Sequence, residues 1–462
     1  MKIYGQPEGR IRQAVASGDV TIAVYGLGKM GLPLAAVFAD AGAHVIGADI
    51  DEDVVYSINH GICHVTGEPG LPELVERNVG YGRLSATSDL VHAAEAADVM
   101  VILVPTLLDC DNKPDMSIVE LVCADIAEGL NSGDFVIQES TVPPRTTRNL
   151  ILPLLERSGL SAGDFGVAHC PERTASGRAI IDITGAYPKI VGGIDDASRE
   201  TARALYSTIN KKGVISVSDA TAAESVKVFE GLYRDVNIAL ANELAMVCDE
   251  LGIDATEVFD CANTQPYSHI HVPGCGVGGH CIPVYPYFIT ETVRSRTDML
   301  RLARRINDGM PAYTVDLLES AFAELNAGIS IAGARVLVMG VTYRGDVNET
   351  RFSPAIVVIS ELRARGAEVF AYDPVLGDLV GRFGAIPYDL DSAAGTGGTG
   401  GTDGIEEMDA ILIASDHTGF GELDWDLLGE RMRHKVVVDG RGILDPKELR
   451  SAGYIYRAVG RP

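Results

Sequence analysis

The sequence predicts an α/β protein made of two doubly wound domains joined by a long central helix. Three observations carry that prediction. From Val20 to about Val217, short apolar runs alternate with helical patterns, as in a parallel sheet with crossover helices. From Asp219 to about Gly252 there is no proline and only one interior glycine, Gly231, with apolar residues at helical spacing, so a single long helix is expected. A second strand, glycine turn, helix, strand pattern then begins at "ARVLVMGVTYRGD". The expected division is 1–217, 218–328 and 329–462.

In the first part, "TIAVYG" reads as a buried strand, "KMGLPLAAVFADAG" as a helix and "HVIGAD" as the next strand, followed by strands in "DVMVILVP", "DFVIQES" and "FGVAHC". In the last part the elements are "ARVLVMG", "PAIVVISELRARG", "AEVFAYDP", "DAILIASDH" and "KVVVDGR". The glycine-rich stretch Ser392 to Gly404 is expected to be a surface excursion that packs nothing. The long helix is apolar on more than one face, so it is expected to pack against a twin in a homodimer or larger homo-oligomer.

At 462 residues the chain is too long for one ordinary core. A formal net charge of −26 argues against a nucleic-acid partner, because phosphate backbones require clustered Lys and Arg. Eight cysteines are scattered without the density of a secreted disulfide scaffold, and reduced thiols are expected. The first twenty residues lack the apolar core of a signal peptide, and no apolar run is long enough to span a membrane. A soluble cytoplasmic protein without a membrane partner is the expectation.

The loop "GLGKMG" follows a strand and opens a helix. Its Gly26, Gly28 and Gly31 permit a tight turn and close approach of backbone to a pyrophosphate, with the helix N-terminus facing that charge. This makes the domain Rossmann-like, with Gly26, Leu27, Gly28, Lys29 and Met30 as the phosphate-binding turn. Asp49 ends the next strand, where a carboxylate accepts from both ribose hydroxyls and repels a 2′-phosphate, so NAD is favoured over NADP. Thr106 and Thr141 follow later strands at the edge where such sheets gather ligands; either could also serve only as a helix cap.

The stretch "HIHVPGCGVGGHCIPVYPYF", His269 to Phe288, is open to three readings: a metal site, a reactive thiol on a glycine loop, or core. His269, His271, Cys275, His280 and Cys281 offer zinc-binding atoms, but His280 and Cys281 are adjacent and no second pair completes a tetrahedron, so no metal is assigned. Cys281 directly follows "GVGGH", where glycines admit a ligand to the backbone and a thiolate could add to an aldehyde.

"GVGGHCIP", together with "ESTVPP", "CPER", Lys227 on the long helix and "TYRGDVNETRFSP", resembles the nucleotide-sugar 6-dehydrogenases, the UDP-glucose/UDP-N-acetylmannosamine dehydrogenase family. The resemblance runs from about Thr21 to Leu444. "CPER" and "LYRDVNIALANEL" look most like the branch acting on UDP-N-acetylmannosamine. It implies NAD-dependent oxidation of the sugar's C6 from alcohol to carboxylate, with Cys281 the nucleophile that forms a thiohemiacetal and then a thioester. By the same resemblance Lys227 stabilises an oxyanion, and Glu172 with Thr141 activates water. Arg173 and Gly278 would contact the sugar or phosphate, and Tyr343, Arg344 and Arg441 the UDP end; Arg234 and Asn237 continue the Lys227 face of the helix and could point into the same cleft or form a polar helix seam, and His269 or His271 could replace the arginine missing before the cysteine loop. Arg351 would reach NAD. Other readings are the same oxidation of UDP-glucose or UDP-N-acetylglucosamine, a two-electron hydroxyacid-type dehydrogenase, or a binder without activity.

Several positions depart from the pattern usual in that family. Tyr285 stands where an Asp normally follows the cysteine by four residues, and Gly231 where an Asn follows the lysine by four. Arg145 replaces a Gly, Ser176 occupies the second Glu position of the UDP-glucose enzymes, and "QPY" ends at Tyr267 where "HPR" is common.

Overall fold

A computed structural model describes residues 1–325, 328–390 and 404–462; the expected glycine-rich excursion lies outside them except for Gly404. The chain divides into two compact units, Met1–Glu230 with Tyr287–Arg294, and Gly231–Pro286 with Ser295–Pro462.

The first unit contains β1 (Thr21–Tyr25), β2 (His44–Ala48), β3 (Leu84–Thr87), β4 (Val99–Ile102), the two-residue strands β5 (Leu107–Leu108) and β6 (Pro114–Asp115), β7 (Phe135–Gln138), β8 (Gly166–His169), β9 (Lys189–Gly193) and β10 (Val214–Ser216). Eight of them form one sheet in the order β10-β9-β8-β7-β4-β1-β2-β3. β4, β7 and β8 are buried along their whole length, which is why they read as unbroken apolar runs. Val24, Leu32, Phe38 and Ile137 pack on one face of the sheet, and Tyr25, Met100, Ile126 and Phe165 on the other.

From β8 to β3 the sheet is parallel, as the pattern predicts. β9 departs from it, pairing antiparallel with β8 through Ala168↔Gly193 and His169↔Gly192. Apolar burial does not encode strand direction. The link between β8 and β9 holds only short helical segments, Ala179–Ile181 and Asp182–Ala186, where a parallel return needs a full crossover. The reversal starts β9 at the carboxyl edge of the sheet and leaves Lys189 there.

The second unit holds β11 (Arg335–Met339), β12 (Glu368–Tyr372), β13 (Ile386–Pro387), β14 (Ala410–Ile413), β15 (Val436–Asp439) and β16 (Ile455–Ala458). They form a fully parallel sheet in the order β13-β12-β11-β14-β15-β16. The order reverses between β11 and β14, the crevice where such sheets take ligands. Asp373, just after β12, is the counterpart of Asp49 after β2. It is buried and accepts from the N–H groups of Val341, Thr342, Val375 and Leu376 and from His417. Burial opposes its ionisation, yet those bonds hold the carboxyl well below the usual range.

The predicted long helix spans Ala220–Leu251, 32 residues, and passes from the first unit to the second after Glu230. In the second unit it packs beside the helix Asp298–Glu324 through a buried polar chain. Arg304 Nη1 and Asn307 Nδ2 both donate to Asp235 Oδ1, each at 2.9 Å, and Asn242 Nδ2 donates to Asn307 Oδ1 at 2.9 Å. Asn242 Oδ1 in turn accepts the N–H of Gly274 at 2.9 Å, which ties this network to the start of the glycine–cysteine loop. Burial pushes the Asp235 carboxyl up to about 6 against the pull of Arg304.

Arg304→Met strands that carboxylate and is expected to lower unfolding free energy by about 3–5 kcal/mol in urea melts. Adding Asp235→Leu, which removes the stranded charge, should recover most of the loss.

Candidate active site

The turn "GLGKMG" has the geometry its glycines imply. Gly26 sits at φ 89°, and a side chain there would strike the Leu103 carbonyl. A Cβ at Gly31 would overlap the carbonyl of Gly26, so helix and strand meet at a distance only glycine allows, while Gly28 faces open space. Leu27 is buried against Gly47, and its N–H donates to Asp49 Oδ2 at 2.8 Å; Asp49 Oδ1 accepts from the Asp51 N–H at 3.1 Å. Asp49 is thereby aimed and half-buried with lone pairs left over for a ribose. Lys29 is exposed and Met30 half-buried. An adenine dinucleotide fits this cradle.

Beside it, the loops after β4 and β7 are tied together, since Thr106 Oγ1 donates to the Thr141 carbonyl at 2.7 Å. Glu172 follows β8, and its N–H donates to the Glu139 carbonyl at 3.1 Å. Its carboxylate accepts from the Thr174 N–H. Glu172 and Arg173 line a cavity with Met30, Lys189 and Tyr206. The cavity floor is a buried ion pair, Lys189 Nζ to Glu139 Oε2 at 2.9 Å, with the Tyr206 hydroxyl donating to Glu139 Oε1. Arg173 lies over the Tyr187 ring and pairs with Glu230 at 2.6 Å, so its charge is already partly engaged. Lys227 is only 6% exposed, which excludes the solvated face on which most helix lysines sit.

Glu224, one turn before Lys227, fastens the long helix to the segment after Thr141. Its buried carboxylate accepts the N–H of Arg145, and both the N–H and the hydroxyl of Thr147 at 2.7 and 2.6 Å. Arg145 adopts φ 81°, the left-handed region, which accounts for the Gly usual in the family at this place. An arginine there carries strain of roughly 1–2 kcal/mol.

In the second unit, the loop Gly274–Cys281 lies on the carboxyl edge of the sheet. Cys275 N–H donates to the Gly440 carbonyl at 2.8 Å, and its thiol to the Ala414 carbonyl at 3.3 Å. Gly279 N–H donates to the Arg351 carbonyl at 3.0 Å. A side chain at Gly278 or Gly279 would strike Tyr343, and one at Gly274 would crowd Arg441. The fold therefore assembles Gly278, Tyr343, Arg351 and Arg441 around the loop. Arg441 pairs with Asp416 at 3.4 Å, whereas Arg344 and Arg351 are exposed. His271 and Asn237 also meet, the His271 N–H donating to Asn237 Oδ1 at 3.1 Å, with the His271 ring edge-on to Tyr233. Arg234 stands half-buried on the same helix.

The Cys281 thiol is half-buried, and all eight cysteines are reduced. The neighbouring Cys281 sulfur, as a hydrogen-bond partner, is the main reason the imidazole of His280 titrates above the ordinary value; desolvation and the Arg351 charge oppose the rise. Among the described residues no group of three or more His, Cys, Asp or Glu is disposed to hold a metal ion.

From the sequence alone His280 reads only as a metal-ligand candidate, and Glu139, Lys189 and Glu224 carry no mark at all. The adjacency of His280 to Cys281 was a usable signal. The other three are single charged residues whose partners lie 50 to 79 positions away, and no local pattern marks them.

A dinucleotide-binding sheet, a second parallel sheet with its own ligand crevice and a thiol on a glycine loop define a nicotinamide-dependent oxidoreductase of bipartite design. Residues 20–210, 221–309 and 337–446 match in turn the NAD binding, central and UDP binding domains of the UDP-glucose/GDP-mannose dehydrogenase family. The UDP-N-acetyl-D-mannosamine dehydrogenase of Pyrococcus horikoshii is 38% identical over 95% of this chain and 99% of its own. Among solved structures, UDP-D-ManNAc dehydrogenase from Pyrococcus horikoshii superposes with TM-score 0.85 at 37% identity, covering 96% of this chain and 99% of that one. NDP-N-acetyl-D-galactosaminuronic acid dehydrogenase from Methanosarcina mazei Go1 gives TM-score 0.82 at 29% identity, covering 98% of each chain. The chain belongs to the UDP-glucose/GDP-mannose dehydrogenase family and is an NAD-dependent nucleotide-sugar dehydrogenase.

Burial raises the Glu224 carboxyl to about 7, with the donors from Thr147 and Arg145 opposing the rise and Asp219 adding to it. The folded protein thus keeps this proton where the unfolded chain has lost it, so the stability it contributes falls as pH rises from the ordinary carboxylate range through about 7. Glu224→Gln, which does not titrate, is expected to flatten that part of the Tm-against-pH curve; an unchanged slope would contradict the assignment.

Proposed function

We propose that the protein oxidises C6 of UDP-N-acetyl-D-mannosamine to the uronate, with two NAD consumed per sugar. The observation that carries the proposal is the half-buried, reduced Cys281 thiol beside His280, on a loop packed against Tyr343 and bonded to the Arg351 carbonyl. The names of the relatives supply the sugar.

NAD supplies the hydride acceptor in both oxidations. In the first, the C6 alcohol loses a hydride and a proton, and the buried Lys227 ammonium stabilises the developing alkoxide. The Cys281 sulfur then adds to the aldehyde carbon while the carbonyl oxygen takes up a proton, giving a thiohemiacetal. This carbon still bears a hydrogen, so a second hydride and proton can leave and a thioester results. Water activated by Glu172, whose N–H donates to the Glu139 carbonyl, displaces the thiol and releases the carboxylate, with Thr141 assigned to help hold that water. With Tyr285 in place of the usual Asp, no carboxylate stands at that position, so the water-activating role falls to Glu172.

Arg173, Arg234, Asn237, His271 and Gly278 are assigned to the sugar and phosphates, and Tyr343, Arg344 and Arg441 to the uridine end. Gly26 to Met30, Asp49, Thr106 and Thr141 are assigned to NAD, with Arg351 contributing a charge. We also assign a second copy of the chain to the exposed face of the long helix, where Tyr233, Leu240, Val247 and Leu251 recur at seven, seven and four residues. The free cysteines fit a cytoplasmic setting.

Incubation with UDP-N-acetyl-D-mannosamine is expected to yield two NADH per sugar and a uronic acid, with slower turnover of UDP-glucose. Cys281→Ser should abolish acid release; one NADH with free aldehyde from the unmutated enzyme would overturn the mechanism. Leu240→Glu is expected to shift the mass measured by light scattering from dimer to monomer.

A further inference from the structure

Two of the positions at which this chain departs from its family touch each other. Gly231 lies one helical turn after Lys227 on the long helix, and Tyr285 lies one turn after Cys281, its N–H donating to the Cys281 carbonyl at 3.0 Å. The Tyr285 side chain is buried, 5% exposed, with its ring against the helix backbone at Gly231. A Cβ built on Gly231 would overlap Tyr285 Cδ2 and stand 3.1 Å from Cε2 and 3.2 Å from Cγ. No residue but glycine leaves room for that ring.

A glycine in a helix interior costs about 1 kcal/mol relative to alanine, so its presence in an otherwise unbroken helix calls for a compensating contact, and the buried ring supplies one. The ring is also the first large side chain of the helix Tyr285–Thr290, directly after the Cys281 turn. Where the ring seats, the turn follows.

We propose that Gly231 and Tyr285 are a single positioning element: the tyrosine ring, seated in the gap that glycine opens in the long helix, sets where the Cys281 turn stands and hence how the sulfur approaches C6. The proposal rests on the reading of Cys281 as the nucleophile. In this role the ring acts by where it seats and not by proton transfer, since an ordinary phenol, with a pKa near 10, is no base at neutral pH. The two positions are therefore exchangeable only together.

The test is a double-mutant cycle of Gly231→Ala and Tyr285→Ala, with Tyr285→Phe as the conservative variant. It is read by kcat and KM and by the rate at which iodoacetamide modifies the Cys281 peptide, followed by mass spectrometry. Gly231→Ala alone is expected to lower kcat about tenfold or more through misplacement of the sulfur, with KM for NAD within about twofold, and to change the alkylation rate in step. In the Tyr285→Ala background the same substitution should cost no more than about twofold, because the clash is gone. Tyr285→Phe should stay within about twofold of the parent. Equal effects of Gly231→Ala in both backgrounds would overturn the proposal, as would a Tyr285→Phe variant as impaired as Tyr285→Ala. If Gly231→Ala does not fold, the comparison of Tyr285→Phe with Tyr285→Ala and the foldable double variant decides the matter. Retention of acid formation by Cys281→Ser would remove the nucleophile reading, while coupled alkylation rates would still report the contact.

Discussion

The contact on which the site depends is the seating of the Gly274–Cys281 loop on the carboxyl edge of the second sheet. A glycine-rich loop left to itself has many conformations and would hold a sulfur nowhere in particular. Here its backbone is bonded at Gly274 to Asn242, at Cys275 to Gly440 and at Gly279 to Arg351, and Tyr343 and Pro354 fill the space where side chains would otherwise project. The glycines are what allow the loop to lie so close. Tyr343 and Arg441, the residues assigned to the uridine end, thus also border the glycines of the thiol loop.

The first unit solves a different problem, that of placing polar groups at the end of a sheet buried on both sides. Glu139 is wholly buried, and burial pushes its carboxyl up, but Lys189 and Tyr206 supply the donors it needs. That arrangement depends on β9 running against β8, because only then does its first residue fall at the carboxyl edge. Glu224 does the equivalent work for the loop after β7. Both carboxylates sit beneath segments that carry candidate site residues, Glu172 in one case and Thr141 in the other.

Much of this was legible in the sequence. Buried parallel strands, the glycine turn with its acid at Asp49, and the long helix all have local signatures, and each element appears with its ends within a few residues of the expected ones. The hidden features were pairings across sequence: the direction of β9, the partners of Glu139 and Glu224, and the Arg304–Asp235–Asn307 network. Lys227 shows why. Its sequence neighbourhood fits an exposed helix face, and only tertiary packing buries it. Gly231 and Tyr285 were each visible as departures, but nothing in one dimension joins positions 54 residues apart.

The acids Asp49 and Asp373 occupy corresponding places in the two sheets with opposite results. A carboxylate has about four lone-pair sites. Asp49 gives two of them to the backbone N–H groups of Leu27 and Asp51, whereas Asp373 meets four N–H groups and the His417 ring. Saturated by its own chain, the second acid has nothing to offer an adenosine ribose. The two sheets thus differ at that edge in how many acceptors stay open, through a count of lone pairs rather than a difference in fold.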